Sequence, residues 1–204
     1  MLFNDTYKTV SGISEGIFSD KGSKFIAYIH PLASDTGLKE IVNQVKSNHP
    51  KARHYCWAFR LSPDRSVFRV NDDGEPSGTA GKPILNVILS NDLTNVLVVV
   101  VRYFGGTLLG VPGLINAYKK ATFAAIQKSV IIEVAISSLY QICFDHLQMN
   151  EVMKIIKDED IKIQNQLFDT ICIMEVEVRQ SAQERVLDRL RNIKNLNFKF
   201  ISAP

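Results

Sequence analysis

The chain has only three cysteines in 204 residues, Cys56, Cys143 and Cys172. They are too few and too scattered for a disulfide framework or a zinc-ligand set, and their scarcity fits a reducing compartment. Long apolar runs are also missing. The longest, Val96 to Val101, falls far short of the ~20 residues a membrane-spanning helix needs. The first residues lack the basic-then-apolar pattern of a secretory leader. A cytoplasmic protein with no membrane partner is expected. No glycine follows Gly113, although the chain has 11, and of seven prolines only Pro204 lies beyond that point. Neither sign of charge dominates: 24 basic and 21 acidic residues leave +3. That balance neither demands nor excludes a nucleic-acid partner. With 46% apolar residues and a mean hydropathy of +0.01, the chain is an ordinary globular sequence long enough to bury a core.

The glycine asymmetry predicts two domains, residues 1–133 and 134–204. Charge divides at the same place. The first part has 15 basic and 11 acidic residues, the second 9 and 10. In the first part, Lys24 to Leu32 reads as a strand. Thr36 to Asn48 reads as a helix with an apolar face at Leu38, Ile41, Val42 and Val45. His54 to Leu61 and Val67 to Val70 read as a strand pair. A short helix is expected around Ile84 to Leu89. The run Leu93 to Tyr103 reads as a strand buried on both faces, and Leu114 to Ser129 as a helix. The second part reads as strand Ile136–Phe144, helix Leu147–Lys157, strands Ile161–Phe168 and Thr170–Val178, helix Ala182–Ile193 and strand Asn197–Ile201. That βαββαβ order is the split-βαβ, ferredoxin-like signature. The fold class is therefore α+β.

Two glycine-rich stretches concentrate the chemistry. Asn71 to Pro83 (NDDGEPSGTAGKP) holds Asp72, Asp73, Glu75, three glycines and Lys82. One reading is an anion cradle at Gly78 to Lys82, since glycines let backbone N–H groups approach a ligand and a helix N-terminus favours anions. The other is a demanding turn capped by Thr79. The spacing is not that of a Walker A loop. The three carboxylates are hard-cation donors by type, but carboxylates in polar loops are usually solvated or capping, and no metal or cofactor is expected. Arg102 to Gly113 (RYFGGTLLGVPG) supplies a bidentate phosphate donor in Arg102 and stacking faces in Tyr103 and Phe104. Gly105 and Gly106 allow close backbone approach. It reads either as a nucleic-acid-binding loop or as a turn with Phe104 in the core. His54 and Cys56 alternate on one strand. They read as a structural or ligand-lining histidine beside a packed cysteine in preference to a nucleophile and its base.

The stretches KGSKF (21–25), HYCWA (54–58), DDGEPSGTAGKPIL (72–85), VVVVRYFGGTLLG (98–110) and GLINAY (113–118) together closely resemble the YigZ/IMPACT family. The resemblance covers nearly the whole chain, as in two-domain bacterial members. It implies an N-terminal domain folded like the second domain of a small-subunit ribosomal protein and like domain IV of elongation factor G. It implies a C-terminal domain like domain V of that factor. The eukaryotic relative acts in translational control by competing for the activator of an amino-acid-starvation kinase, through a separate domain with no counterpart in this sequence. For bacterial members, RNA or ribosome binding is inferred from the folds. The site residues the resemblance implies are His54, Asp72, Asp73, Glu75, Gly78, Thr79, Arg102, Tyr103, Gly105 and Gly106, with Lys24 at a basic position of the same motif. The expected function is RNA or ribosome binding in the regulation of translation. The rival readings are an enzyme on a phosphorylated or nucleotide-like molecule (His54 or Asp73 as base, Arg102 as anion clamp) and a protein-interaction module that binds a protein partner without catalysis.

Overall fold

The computed structural model describes residues 5–203, which form two compact units. One is Tyr7–Val134. The other runs from Ala135, joined by Asp5 and Thr6.

The first unit opens with strands β1 (Thr6–Val10), β2 (Ser14–Asp20) and β3 (Ser23–Pro31). Positive φ at both Lys21 and Gly22 makes the tight two-residue hairpin between β2 and β3. Helix α1 (Leu38–Asn48), strands β4 (His54–Leu61) and β5 (Val67–Asn71), helix α2 (Gly81–Ser90), strand β6 (Val96–Tyr103) and helix α3 (Gly110–Gln127) follow. Strand β7 (Ile131–Ala135) pairs with β1.

The main sheet has the order β2-β3-β6-β4-β5, and every neighbouring pair is antiparallel. Strands β3 and β4 are therefore parallel to each other, with β6 inserted between them and α1 as the crossover. Successive β6 side chains alternate between two cores. Val96, Val98 and Val100 pack with α2 and α3, whereas Leu97, Val99 and Val101 pack with α1. This explains the unbroken β-branched run: a central strand covered on both faces has no polar side. Against β2, α3 comes so close that a Cβ on Gly16 would lie 2.1 Å from the Ala125 nitrogen.

The sequence pattern misses β1, β2 and β7. Strand β2, SEGIFSD, has only two large apolar residues, so its pairing with β3 and its cover by α3 hold it, not its propensity. Both α2 and α3 begin three or four residues before the expected starts. Their first turns contain Pro83 and Pro112. Proline costs little there, because first-turn N–H groups have no acceptor within the helix.

The second unit contains β8 (Ser137–Phe144), α4 (Met149–Asp158), β9 (Lys162–Phe168), β10 (Cys172–Arg179), α5 (Gln183–Arg191) and β11 (Asn197–Ser202). The sheet order β11-β8-β10-β9 is the antiparallel split-βαβ arrangement that the element order predicts. Tyr140, Ile142, Phe144, Met174 and Val176 pack under the helices. The alternate residues on the opposite face, such as Gln141, Cys143, Ile173, Glu175 and Leu167, include no aromatic among the described strands. Glu159 joins the helices by accepting bonds from both Arg185 and Arg189, which hold its carboxyl below the usual range. No helix among the described residues is long and apolar enough to cross a membrane.

His30 is buried on β3 with Nε2 unpartnered, and burial lowers its pKa. The fold holds it neutral, while the unfolded chain takes a proton below about pH 6.5. Stability of the first unit is thus present at neutral pH and falls as pH drops through that value. Melting temperatures at pH 7.5 and 5.5 should show a smaller acid loss for His30→Leu than for wild type. An equal loss would mean that other groups carry it.

Candidate functional site

One edge of the five-stranded sheet gathers the motif loops. Strands β3 and β4 start there and β5 and β6 end there. The register sets Lys24 opposite Tyr103, His54 opposite Arg102, and Trp57 opposite Asn71. Helices α2 and α3 begin at the same edge.

Beneath the edge lies a polar network on the α2/α3 face. Arg102 is 5% exposed and donates from one terminal nitrogen to Glu75 Oε1 at 2.6 Å. The Tyr118 hydroxyl on α3 donates to the same oxygen at 2.8 Å. The guanidinium carbon lies 5.5 Å from the Phe25 ring centroid and 5.6 Å from that of Phe104. The Cys56 thiol is fully buried, 3.0 Å from the Asp72 carbonyl and 3.2 Å from the Tyr118 hydroxyl. Burial pushes both the Cys56 thiol and the Tyr118 phenol well above their usual ranges, so both keep their protons.

The backbone N–H groups of the expected anion cradle are taken by a carboxylate of the chain itself. Asp72 accepts the backbone N–H of Gly78 at 2.8 Å, of Ala80 at 3.0 Å and of Gly81 at 2.8 Å. An internal carboxylate thus occupies the α2 N-terminus. Thr79 is buried and donates to the Pro76 carbonyl at 2.6 Å, in a turn that also uses positive φ at Gly78. Lys82 is exposed in the first turn of α2. Asp73, itself at positive φ, accepts the Tyr55 N–H at 2.7 Å. The three carboxylates therefore serve three different partners. Among the described residues, no group of three His, Cys, Asp or Glu side chains forms a metal-ligand set.

His54 Nδ1 lies 2.9 Å from the Asp73 carbonyl. A carbonyl only accepts, so Nδ1 carries a proton, and Nε2 is the ring nitrogen left without a protein partner. Of the residues named for acid–base chemistry, His54 alone retains a ring nitrogen without a protein partner. The Asp73 carboxylate is committed to Tyr55, and the Arg102 charge to Glu75. His54 and Cys56 do not pair with each other.

Tyr103 departs from the expected cluster. It follows Arg102 on a strand, so it points to the opposite face. There its hydroxyl meets His49 Nδ1 at 2.9 Å, and the Tyr28 hydroxyl meets His49 Nε2 at 2.8 Å. Burial, with Glu15 adding to it, pushes the Tyr28 hydroxyl up to about 12. Lys24 is exposed next to Tyr103. His49, Tyr28, Tyr55, Phe25 and Tyr118 all support this edge; Phe25, Tyr55 and Tyr118 lie within the motif stretches but were not among the expected site residues, and His49 and Tyr28 lie in none of them. Strand alternation at Tyr55 and the α3 periodicity at Tyr118 are the signals that could have marked their inward-facing roles. Gly105 packs so tightly on the β2–β3 hairpin that a Cβ would lie 1.9 Å from the Gly22 carbonyl carbon. Gly106 is at positive φ with open space around it.

Known proteins share this architecture. The Impact N-terminal domain model matches residues 21–126. An IMPACT family member of Haemophilus influenzae is 34% identical over 151 residues, 72% of this chain and 73% of that protein. IMPACT family member YigZ of Escherichia coli is 31% identical over 158 residues, 76% of this chain and 78% of that protein. A crystal structure of a hypothetical protein, 26% identical, superposes with a TM-score of 0.72 over 97% of this chain and 98% of its own.

Removing one member of a buried ion pair leaves an uncompensated charge. Glu75→Leu should therefore cost about 3–5 kcal/mol in urea denaturation, whereas Glu75→Leu with Arg102→Met costs less than that single change. Tyr118→Phe should cost about 1 kcal/mol. A double variant less stable than Glu75→Leu would mean that the pair contributes more than its mutual neutralisation.

Proposed function

The chain belongs to the IMPACT family, and from that premise we propose that it acts in the regulation of translation by binding RNA, free or within the ribosome, through the cationic edge of its first unit. One observation carries the reading: the edge turns its carboxylates inward and its cations outward. Asp72, Asp73 and Glu75 are consumed by backbone N–H groups and by Arg102. Lys21, Lys24, Lys46, Lys51, Arg53 and Lys82 are all exposed, with half-buried Asp20 and exposed Glu15, which reaches Tyr28, as acidic neighbours. The modest net charge of the whole chain thus understates the local field. The inferred likeness of the two units to domains IV and V of elongation factor G, and a cytoplasmic location, belong to the same proposal. The βαββαβ order of the second unit supports that likeness.

Within this reading the phosphates are held by the exposed cations, and Arg102 is a scaffold. Among the described residues, the opposite face of the second unit's sheet has no aromatic on which bases could stack, which favours the first unit as the RNA-binding part.

The test is co-sedimentation with ribosomes from a lysate at low and high salt. Wild type should pellet at low salt and release as salt rises. Lys24→Glu with Arg53→Glu, both at exposed positions, should pellet less. On isolated RNA these changes should flatten the salt slope by about one unit for each phosphate that the altered side chains no longer neutralise. Equal pelleting of the double variant, or no pelleting of wild type at either salt, would overturn the proposal. Recovery of a protein partner without RNA would favour the interaction-module reading.

A further inference from the structure

The loop after β6 carries an aromatic that the fold leaves outside. Phe104 is 46% exposed, although its neighbours in the chain, Tyr103 and Arg102, are half-buried and buried. It is not a loosely held side chain. The Arg102 guanidinium lies 5.6 Å from its ring centroid, and the guanidinium is in turn fixed by Glu75 and packed on Phe25. The backbone after Phe104 is pinned as well. Gly105 donates its N–H to Ser23 Oγ at 3.1 Å and packs against Gly22. A planar ring is thus held in place by a stacked cation, with about half of its surface left open.

The surroundings of this ring select a partner. Gly105 abuts the hairpin that carries exposed Lys21. Lys24 lies opposite Tyr103, one residue before Phe104. The Arg53 backbone N–H points to the Arg102 carbonyl, placing exposed Arg53 on the other flank. Beyond Gly105, Gly106 has no heavy atom within 4 Å of where a side chain would begin. An exposed, immobilised aromatic flanked by cations is the arrangement that holds an unpaired nucleobase, the ring taking the base and the cations the adjoining phosphates.

We propose that Phe104 is the stacking platform for one base of a single-stranded RNA, a role that the sequence divides between Tyr103 and Phe104 and that the fold leaves to Phe104 alone. This rests on the RNA-binding reading and narrows it. A duplex presents its bases already stacked, so unpaired RNA is preferred over duplex at equal charge.

The experiment titrates the full chain into a single-stranded oligoribonucleotide of about a dozen nucleotides carrying 2-aminopurine, a length within the known range of such sites. Duplex and abasic strands of equal length run alongside. Wild type should quench the 2-aminopurine and prefer the single strand. Phe104→Ala should weaken single-strand binding by about 5- to 150-fold, the span of one base–aromatic stack. It should leave the salt slope and abasic binding unchanged, and Phe104→Trp should bind like wild type. A thermal melt checks that the Phe104 variants remain folded. If Phe104→Ala binds like wild type while Lys24→Glu with Arg53→Glu loses binding, the stacking role is overturned and the cationic edge stands. If wild type binds no strand at low salt, both fall together.

Discussion

Arg102 carries a permanent positive charge into the interior, and the Glu75 carboxylate at 2.6 Å makes that position tolerable. Much else hangs on this pair. Glu75 belongs to the loop between β5 and α2, so the pair holds that loop against the central strand. Tyr118 reaches the same carboxylate oxygen from α3, and Phe25 packs on the guanidinium from β3. One ion pair therefore joins two strands, a helix and the loop between β5 and α2. The Asp72 carboxylate completes the loop by closing the α2 N-terminus from within. The Cys56 thiol, its proton retained by burial, fills the space between the Asp72 carbonyl and Tyr118.

The two-residue period of a strand then separates neighbours that the motif holds together. Arg102 faces α2 and α3, whereas Tyr103 faces α1 and spends its hydroxyl on His49. Phe104 lies beyond the end of the strand and escapes both cores. Three consecutive residues thus become a buried scaffold, a half-buried brace and an exposed ring. The same alternation places His54 over the Arg102 side and commits its Nδ1 proton to a backbone carbonyl.

The charge of the edge follows from these commitments. Arg102 neutralises Glu75, while Asp72 and Asp73, half-buried, keep their charge but turn their oxygens toward backbone N–H groups of the fold. The exposed lysines and Arg53 meet no such compensation. An edge that holds both acidic and basic residues therefore presents mostly positive charge outward, which whole-chain arithmetic conceals. The second unit has a different character. It lacks glycine, is near neutral, and among the described residues its sheet has no aromatic on the face away from its helices.

Much of the fold was legible in the sequence because its signals are local. The β-branched run of β6 announced a strand covered on both faces. The βαββαβ order of the second unit followed from periodicity alone, and the glycine-rich motifs marked where the backbone turns sharply. Strand β2 was not legible, because its seven residues carry little apolar pattern and depend on β3 and α3. Nor were the partners in the site, since neither Tyr118 nor His49 stands near the motif it supports. Residue type and spacing identified Asp72, Glu75 and Arg102 as special but could not tell an external ligand from an internal one. Tertiary structure decided that by bringing each charge within hydrogen-bond reach of a group far away in sequence. The physical reason is that a side chain's type sets what it can bind, while only the fold sets which partner is close enough to satisfy it and which charges remain for solvent.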